Sequence, residues 1–268
     1  MNKGVLSIPD MLSTGKSELT SAYLQGKAKK ISFICGLGVV LFILLCVSVT
    51  IGSAGLSTLE VAKTLIEGMN GSMTGTYEQA VVFGLRLHRV LFGAFSGFGL
   101  AICGTVMQGI LRNPLASPFT LGISSSAAFG ASLAIIFGTS FGVLGESLVI
   151  INAFIFTILA SFGIYLMAKH RGVTAESMIL AGILIMYLFS AMTSFLQFFA
   201  SAEHNQEIVF WTFGSLSRTS WEKLTVVFGI LVVTVPYLLW RSWDINALSE
   251  GDEIAKGLGV SADRTRIV

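Results

Sequence analysis

Arg86 and Arg89 are three residues apart, a spacing that sets two guanidinium groups on one side of a helix. Groups of this kind bind carboxylates or phosphates and catalyse nothing by themselves. Taken by themselves they read as anchors that snorkel to a membrane–water boundary. Glu203, His204 and Glu207 form a second polar cluster, better explained as a solvated loop than as a metal site. His170 stands between Lys169 and Arg171, as in a basic loop. Cys35, Cys46 and Cys103 fall in apolar runs without metal-ligand spacing and read as small buried hydrophobes. No GxxxxGK[ST] loop occurs, so the chain binds no ATP in that manner. No catalytic constellation is present, and the sequence calls for no cofactor and no metal.

The elements that carry these residues are apolar. Of 268 residues, 53% are hydrophobic and only 12% charged, about half the charged share of a soluble domain. Mean hydropathy is +0.79. Residues 31–59, 90–111, 113–145 and 147–168 contain no Asp, Glu, Lys or Arg. About 20 such residues cross the hydrocarbon as a helix, which satisfies its own backbone groups. The expected fold is an all-α transmembrane bundle with six spans near 31–51, 90–110, 118–138, 143–168, 178–200 and 224–240. A signal peptide is disfavoured for the first run by its length and its long polar leader, residues 1–30. Most of the 17 Lys and Arg fall in segments that are cytoplasmic if the N-terminus is, which sets the expected orientation. Residues 52–82 and 201–222 are then external, the first with a short surface helix at 58–68. No basic stripe with interleaved aromatics exists, so nucleic acid is not an expected partner.

Gly93, Gly97, Ala101 and Thr105 recur every four residues along the second span, a face suited to close helix contact. The span ends in Gln108, Arg112, Asn113 and Pro114, and Pro118 follows. The two prolines forbid a continuous helix and call for a tight reversal. Beyond it Gly122, Ser124, Ser125, Ser126 and Gly130 suit either a crowded interior or a wetted path. Near the end of the chain, Leu248, Ile254, Ala255 and Leu258 can share one helical face, with Asp252, Glu253 and Lys256 elsewhere. That segment, 247–260, reads as a short amphipathic helix on the cytoplasmic surface, of the kind that can lie on lipid.

The run LRLHRVLFGAFSGFGLAICGTVMQGILRNPLASPFTLGISSSAAFGAS resembles the iron-siderophore, heme and vitamin B12 class of ABC importer permeases. Matching positions include Arg86, Arg89, Gly104, Met107, Gln108, Arg112, Asn113, Pro114, Leu115, Ala116, Pro118, Leu121, Gly122 and Ser124. His88 departs from a proline of the pattern and Ser126 from a glycine. The resemblance extends through Leu180 to Gly182, Trp211 to Leu216 and the 247–260 segment, over residues 31–268.

The resemblance implies a multi-pass permease of a bacterial cell membrane, not itself an enzyme. Its implied partners are an ABC ATPase subunit, an extracytoplasmic substrate-binding lipoprotein or periplasmic protein, a second permease subunit and membrane lipid. It implies docking of the binding protein on Arg86 and Arg89, and of the ATPase on Gly251, Glu253, Ala255, Leu258 and Gly259. Glu250 stands where the pattern has an apolar residue. An inner gate is implied at Val173, Thr174 and Ala175. The implied cargo is an iron-siderophore complex, with heme or cobalamin as alternatives. No acid or base lies mid-span, whereas ion-coupled transporters usually carry one, so energy supplied by a partner fits better than a stand-alone transporter or channel. The family has ten membrane helices and six are counted here, so a truncated permease without transport activity is a further expectation.

Overall fold

The computed structural model describes residues 8–72, 74–138, 145–171 and 174–267, and these are helical apart from turns and loops. They divide into two compact units, one ending at Val90 and the other starting at Leu91.

The first unit opens with α1, Ile8–Thr50, whose segment Leu24–Thr50 is apolar enough to span a membrane. Phe33, Ile34 and Phe42 project outward, as lipid-facing side chains do. α2, Thr58–Met69, is the expected surface helix. Ser57 caps it: the Glu60 amide donates to the Ser57 hydroxyl, and the Ser57 amide donates to the Glu60 carboxylate at 2.7 Å. α3, Tyr77–Val81, runs through a π-helical turn, Val82–Arg86, into α4, Leu87–Leu111. Buried Gln79 fixes the loop before α3, accepting from the Thr74 and Gly75 amides and donating to the Ser72 carbonyl. Val49, Val61 and Val82 form the small core beneath.

The second unit centres on α5, Ile123–Phe137, which packs against α6, Gly145–Arg171, α7, Ala175–Phe199, and α8, Ala202–Phe213. α9, Trp221–Trp240, places a tryptophan at each end of about 30 Å of helix, as interfacial anchors are placed. Three short helices follow: α10, Ser242–Ser249, α11, Asp252–Gly257, and α12, Ala262–Ile267.

Five helices among the described residues are long and apolar enough to cross a membrane. The third expected span is the exception. α5 has 15 residues, about 22 Å, because the Ser117–Thr120 turn and left-handed Gly122 (φ 74°) delay its start. In lipid, packing rather than water exclusion holds such a helix, and small residues permit it. A Cβ on Gly130 would lie 2.5 Å from the Asn152 carbonyl oxygen of α6. One on Gly182 of α7 would lie 2.9 Å from the Leu121 Cα. Phe129 meets Phe156 edge-on at 5.0 Å and Phe189 at 5.5 Å between ring centroids. Gly130 therefore belongs to a crowded interior.

Two expectations change here. The cysteines are exposed rather than buried, since their positions face outward from α1 and α4. Along the stripe on α4, a Cβ on Gly93 would lie 3.4 Å from Leu216 and one on Gly97 would meet nothing within 4 Å, while Ala101 and Thr105 are exposed.

Candidate functional site

At the start of α4, Arg86 is buried in the π turn, 9% exposed. Its Nη1 donates to the Val49 and Thr50 carbonyls at 3.1 and 2.9 Å. These are carbonyls that the end of α1 leaves without helical donors. Gly52 lies against the guanidinium, where a Cβ would come within 2.8 Å of Nη2. Arg86 thus clamps the end of α1 to the start of α4. Arg89 is half-buried, and His88 between them is buried. Arg86→Ala removes charge-assisted bonds, each worth roughly 1.5–3 kcal/mol. The thermal midpoint of the detergent-solubilised variant will fall, and Arg86→Lys will restore part of it.

At the other end of α4 the chain reverses sharply. Arg112 takes a left-handed conformation, φ 48°. The Asn113 amide donates to the Gln108 carbonyl, and the Asn113 side chain accepts from the Leu115 amide at 2.9 Å. Pro114 and Pro118 sit in the reversal, where no helical amide is needed. Leu115 and Phe119 are left exposed.

The segment 247–260 lies against this end. It is not one helix: Gly251 (φ 128°) breaks it between α10 and α11. The expected apolar face is split as a result. Leu248 and Ala255 are fully buried, with Ala247, Val260 and Ala262, against Ile110 of α4. Ile254 and Leu258 point outward, 52% and 55% exposed. Glu253 and Gly259 are exposed, and Gly259 is left-handed (φ 80°).

Asp252 was read only as part of the polar face, and its pairing with Arg266 is what sequence reasoning missed here. The Asp252 carboxylate accepts two hydrogen bonds from Arg266, at 2.9 and 2.7 Å, and lies 3.8 Å from Arg112. The Arg266 hydrogen bonds hold this carboxyl below its usual pKa; burial opposes them, and the charges of Arg266, Arg112 and Lys256 add smaller lowering effects. A pKa lowered on folding contributes stability above the unfolded value, about 4, and loses it as pH falls through the folded value.

Thr174 caps α7, accepting from the Ser177 amide at 3.2 Å, and Ala175 is buried. Val173 lies outside the described residues. Glu203 and His204 open α8 beneath a Ser201 cap, and Glu207 lies one turn on. Among the described residues, no three His, Cys, Asp or Glu side chains form a group fit for a metal ion.

Between α5, α7 and α8 runs a groove of about 670 Å³. Ser124, Ser125, Ser190, Thr193, Gln197 and Thr212 line it with Phe119, Trp211 and Phe213, and it carries no charged side chain. The serine pair flagged in the sequence is one wall. The opposite wall was readable from Ser190, Thr193 and Gln197, a polar face at helical spacing inside an apolar run.

A family model described as the FecCD transport family matches residues 40–268. An archaeal protein of Methanocaldococcus jannaschii, named as ABC transporter permease protein MJ0087, is 43% identical over 70% of this chain and 56% of its own length. A molybdate import system permease protein of Haemophilus influenzae is 36% identical over 84% of this chain and 66% of its own. A cobalamin import system permease protein of Halobacterium salinarum is 35% identical over 70% and 50%. This chain therefore spans about half to two thirds of the length of these relatives. A solved metal-chelate type ABC transporter in an inward-facing conformation superposes with a TM-score of 0.72 at 32% identity, over 88% of this chain and 70% of that one. The family match over most of the sequence, the helical membrane fold and the reversal after Gln108 agree: the chain belongs to the FecCD transport family.

Proposed function

We propose that this chain is the membrane-spanning permease subunit of an ABC importer, a transporter component and not an enzyme. An ATPase subunit docks on the outer face that Glu253, Ile254, Leu258 and Gly259 expose, with Gly251 and Ala255 buried behind it. A substrate-binding protein docks at the Arg86–Arg89 end, and a second permease subunit completes the path. The observation that carries the reading is the split 247–260 segment. Its inner residues bind it to α4, while Ile254 and Leu258 remain outside, an apolar pair framed by Glu253 and Lys256. A helix lying free on lipid needs no second, buried apolar face and no tie to the rest of the protein. The N-terminus and this face are cytoplasmic in this reading. Arg86 fixes the turn that presents Arg89 to an acidic partner surface, and such pairs set orientation and encounter rate. Thr174 and Ala175, with Val173 before them, form the inner gate.

The cargo is a bulky metal chelate, read here as a ferric siderophore complex. The groove between α5, α7 and α8 supports this. Hydroxyls, one amide and aromatic faces give weak contacts at many points and no fixed charge. A small oxyanion gains little from such walls, since its desolvation calls for cationic partners. Tagged chain expressed with its genomic neighbours will retain an ATPase on purification. The assembly in vesicles will then take up a ferric siderophore in an ATP-dependent manner, in preference to heme, cobalamin or molybdate. Uptake of another cargo overturns the siderophore assignment. Uptake by the lone chain without ATP overturns the importer.

A further inference from the structure

One carboxylate draws together three separate pieces of the second unit. Asp252 is the first residue of α11. Two hydrogen bonds from Arg266 join it to α12, and Arg112, 3.8 Å away, joins it to the reversal that ends α4. The Arg266 side chain is fully buried, and that of Asp252 is 29% exposed. A planar guanidinium gripping a carboxylate with two parallel bonds fixes direction as well as distance.

The backbone around the pair is shaped to allow it. Arg112 is the only non-glycine residue with positive φ among the described residues. The preceding Gly251 takes φ 128°, and a Cβ there would lie 3.4 Å from an Arg112 guanidinium nitrogen. Gly251 holds a φ that favours glycine, and Arg112 holds a strained left-handed conformation, one that costs energy and persists when surroundings hold it. Ile110 of α4 plugs the apolar cluster beneath α10 and α11, and Ile245 of α10 packs on Gly109.

We infer that Asp252 is the positioning residue that makes α11 move as one body with the end of α4, so that force on Ile254 and Leu258 reaches a membrane span. This rests on the importer reading for its use, though the mechanical tie does not. The apolar cluster holds α11 close. The Arg112–Asp252–Arg266 triad prevents it from pivoting on that greasy contact. Cutting the triad leaves a face that still accepts a partner but yields beneath it.

Three variants separate the parts of this claim. Asp252→Asn keeps the shape and removes the charge. Arg112→Gln cuts only the α4 arm. The exchange Asp252→Arg with Arg266→Asp restores the α11–α12 pair yet sets the new guanidinium on α11 against that of Arg112. Asp263→Asn, an exposed carboxylate on α12, serves as the control. Hydrogen exchange on the purified chain in detergent reads the tie alone. Asp252→Asn will raise exchange across 252–258 about tenfold or more, and the double exchange variant will recover most of that protection. Unchanged exchange in Asp252→Asn overturns the tie.

Assembled with its ATPase in vesicles, Asp252→Asn will retain hydrolysis while cargo moved per ATP falls severalfold. Arg112→Gln and the double exchange variant will show the same uncoupling, because both lack the α4 arm. Full coupling in Arg112→Gln, or rescue of coupling by the double exchange, overturns the relay role. A wild-type chain that binds no ATPase removes the importer reading and the relay together, and the exchange measurement still decides the tie.

Discussion

Ile254→Asp combined with Leu258→Asp will leave the chain inserted and folded but unable to hold an ATPase subunit. Both side chains are about half exposed in the isolated chain, and neither belongs to the cluster beneath α10 and α11. Their loss therefore costs the permease little. A partner groove that covers them gains roughly 1.5–3 kcal/mol for each large apolar side chain it buries. Removing both reduces affinity by about 100-fold or more, and two buried carboxylates add a desolvation penalty. Co-purification with the ATPase will fail, and ATP-dependent uptake will fail with it. Leu248→Asp provides the contrast. Leu248 is fully buried, so a carboxylate there unseats the whole segment and lowers the stability of the chain itself. Wild-type retention of the ATPase by the Ile254/Leu258 double variant rules out this face as the docking surface.

The same segment shows where sequence reading stopped. Leu248, Ile254, Ala255 and Leu258 fit one face of a continuous helix, because periodicity assumes an unbroken advance per residue. Gly251 at φ 128° interrupts that advance. Leu248 and Ala255 then turn inward while Ile254 and Leu258 turn out. The glycine was visible, but a glycine inside a helical pattern reads equally as a helical residue, and nothing in the neighbouring sequence specifies φ 128°.

Arg86 illustrates the same limit. Its spacing from Arg89 is local and legible, but its clamp on the Val49 and Thr50 carbonyls requires the end of α1 to lie beside it. By contrast, the reversal after Gln108 was legible because its causes are local: Pro114 and Pro118 forbid helix wherever the rest of the chain lies. The spans were legible for the same reason, since hydrocarbon thickness acts on each segment separately. Only the shortness of α5 escaped. Hydropathy measures how apolar a stretch is, not where the backbone turns helical, and the start was set by the Ser117–Thr120 turn and Gly122.

Close packing yields the largest structural prediction. Gly130→Leu will destabilise the chain more than any equal change on its outward faces. At this position α5 lies so near α6 that a Cβ would meet the Asn152 carbonyl oxygen at 2.5 Å, its carbon at 2.8 Å and the Phe156 ring at 3.0 Å. Ring atoms can swing aside, whereas a helix backbone moves only as a body. The leucine must push α5 from α6, and it disturbs the Phe129–Phe156–Phe189 stack in doing so. Overpacking of this kind costs about 3 kcal/mol, equivalent to roughly 6–12 °C in thermal midpoint for a chain of this size. Gly130→Ala separates sterics from propensity. Its helix preference gains up to about 1 kcal/mol, so a net loss measures the clash alone. Gly97→Leu is the matched control, since a Cβ on Gly97 meets nothing within 4 Å. In the purified chain Gly97→Leu will not lower the midpoint, and its better helix preference will hold or raise it. Equal losses in Gly97→Leu and Gly130→Leu would show instead that leucine harms these helices wherever it falls, and that the α5–α6 contact is not what glycine serves.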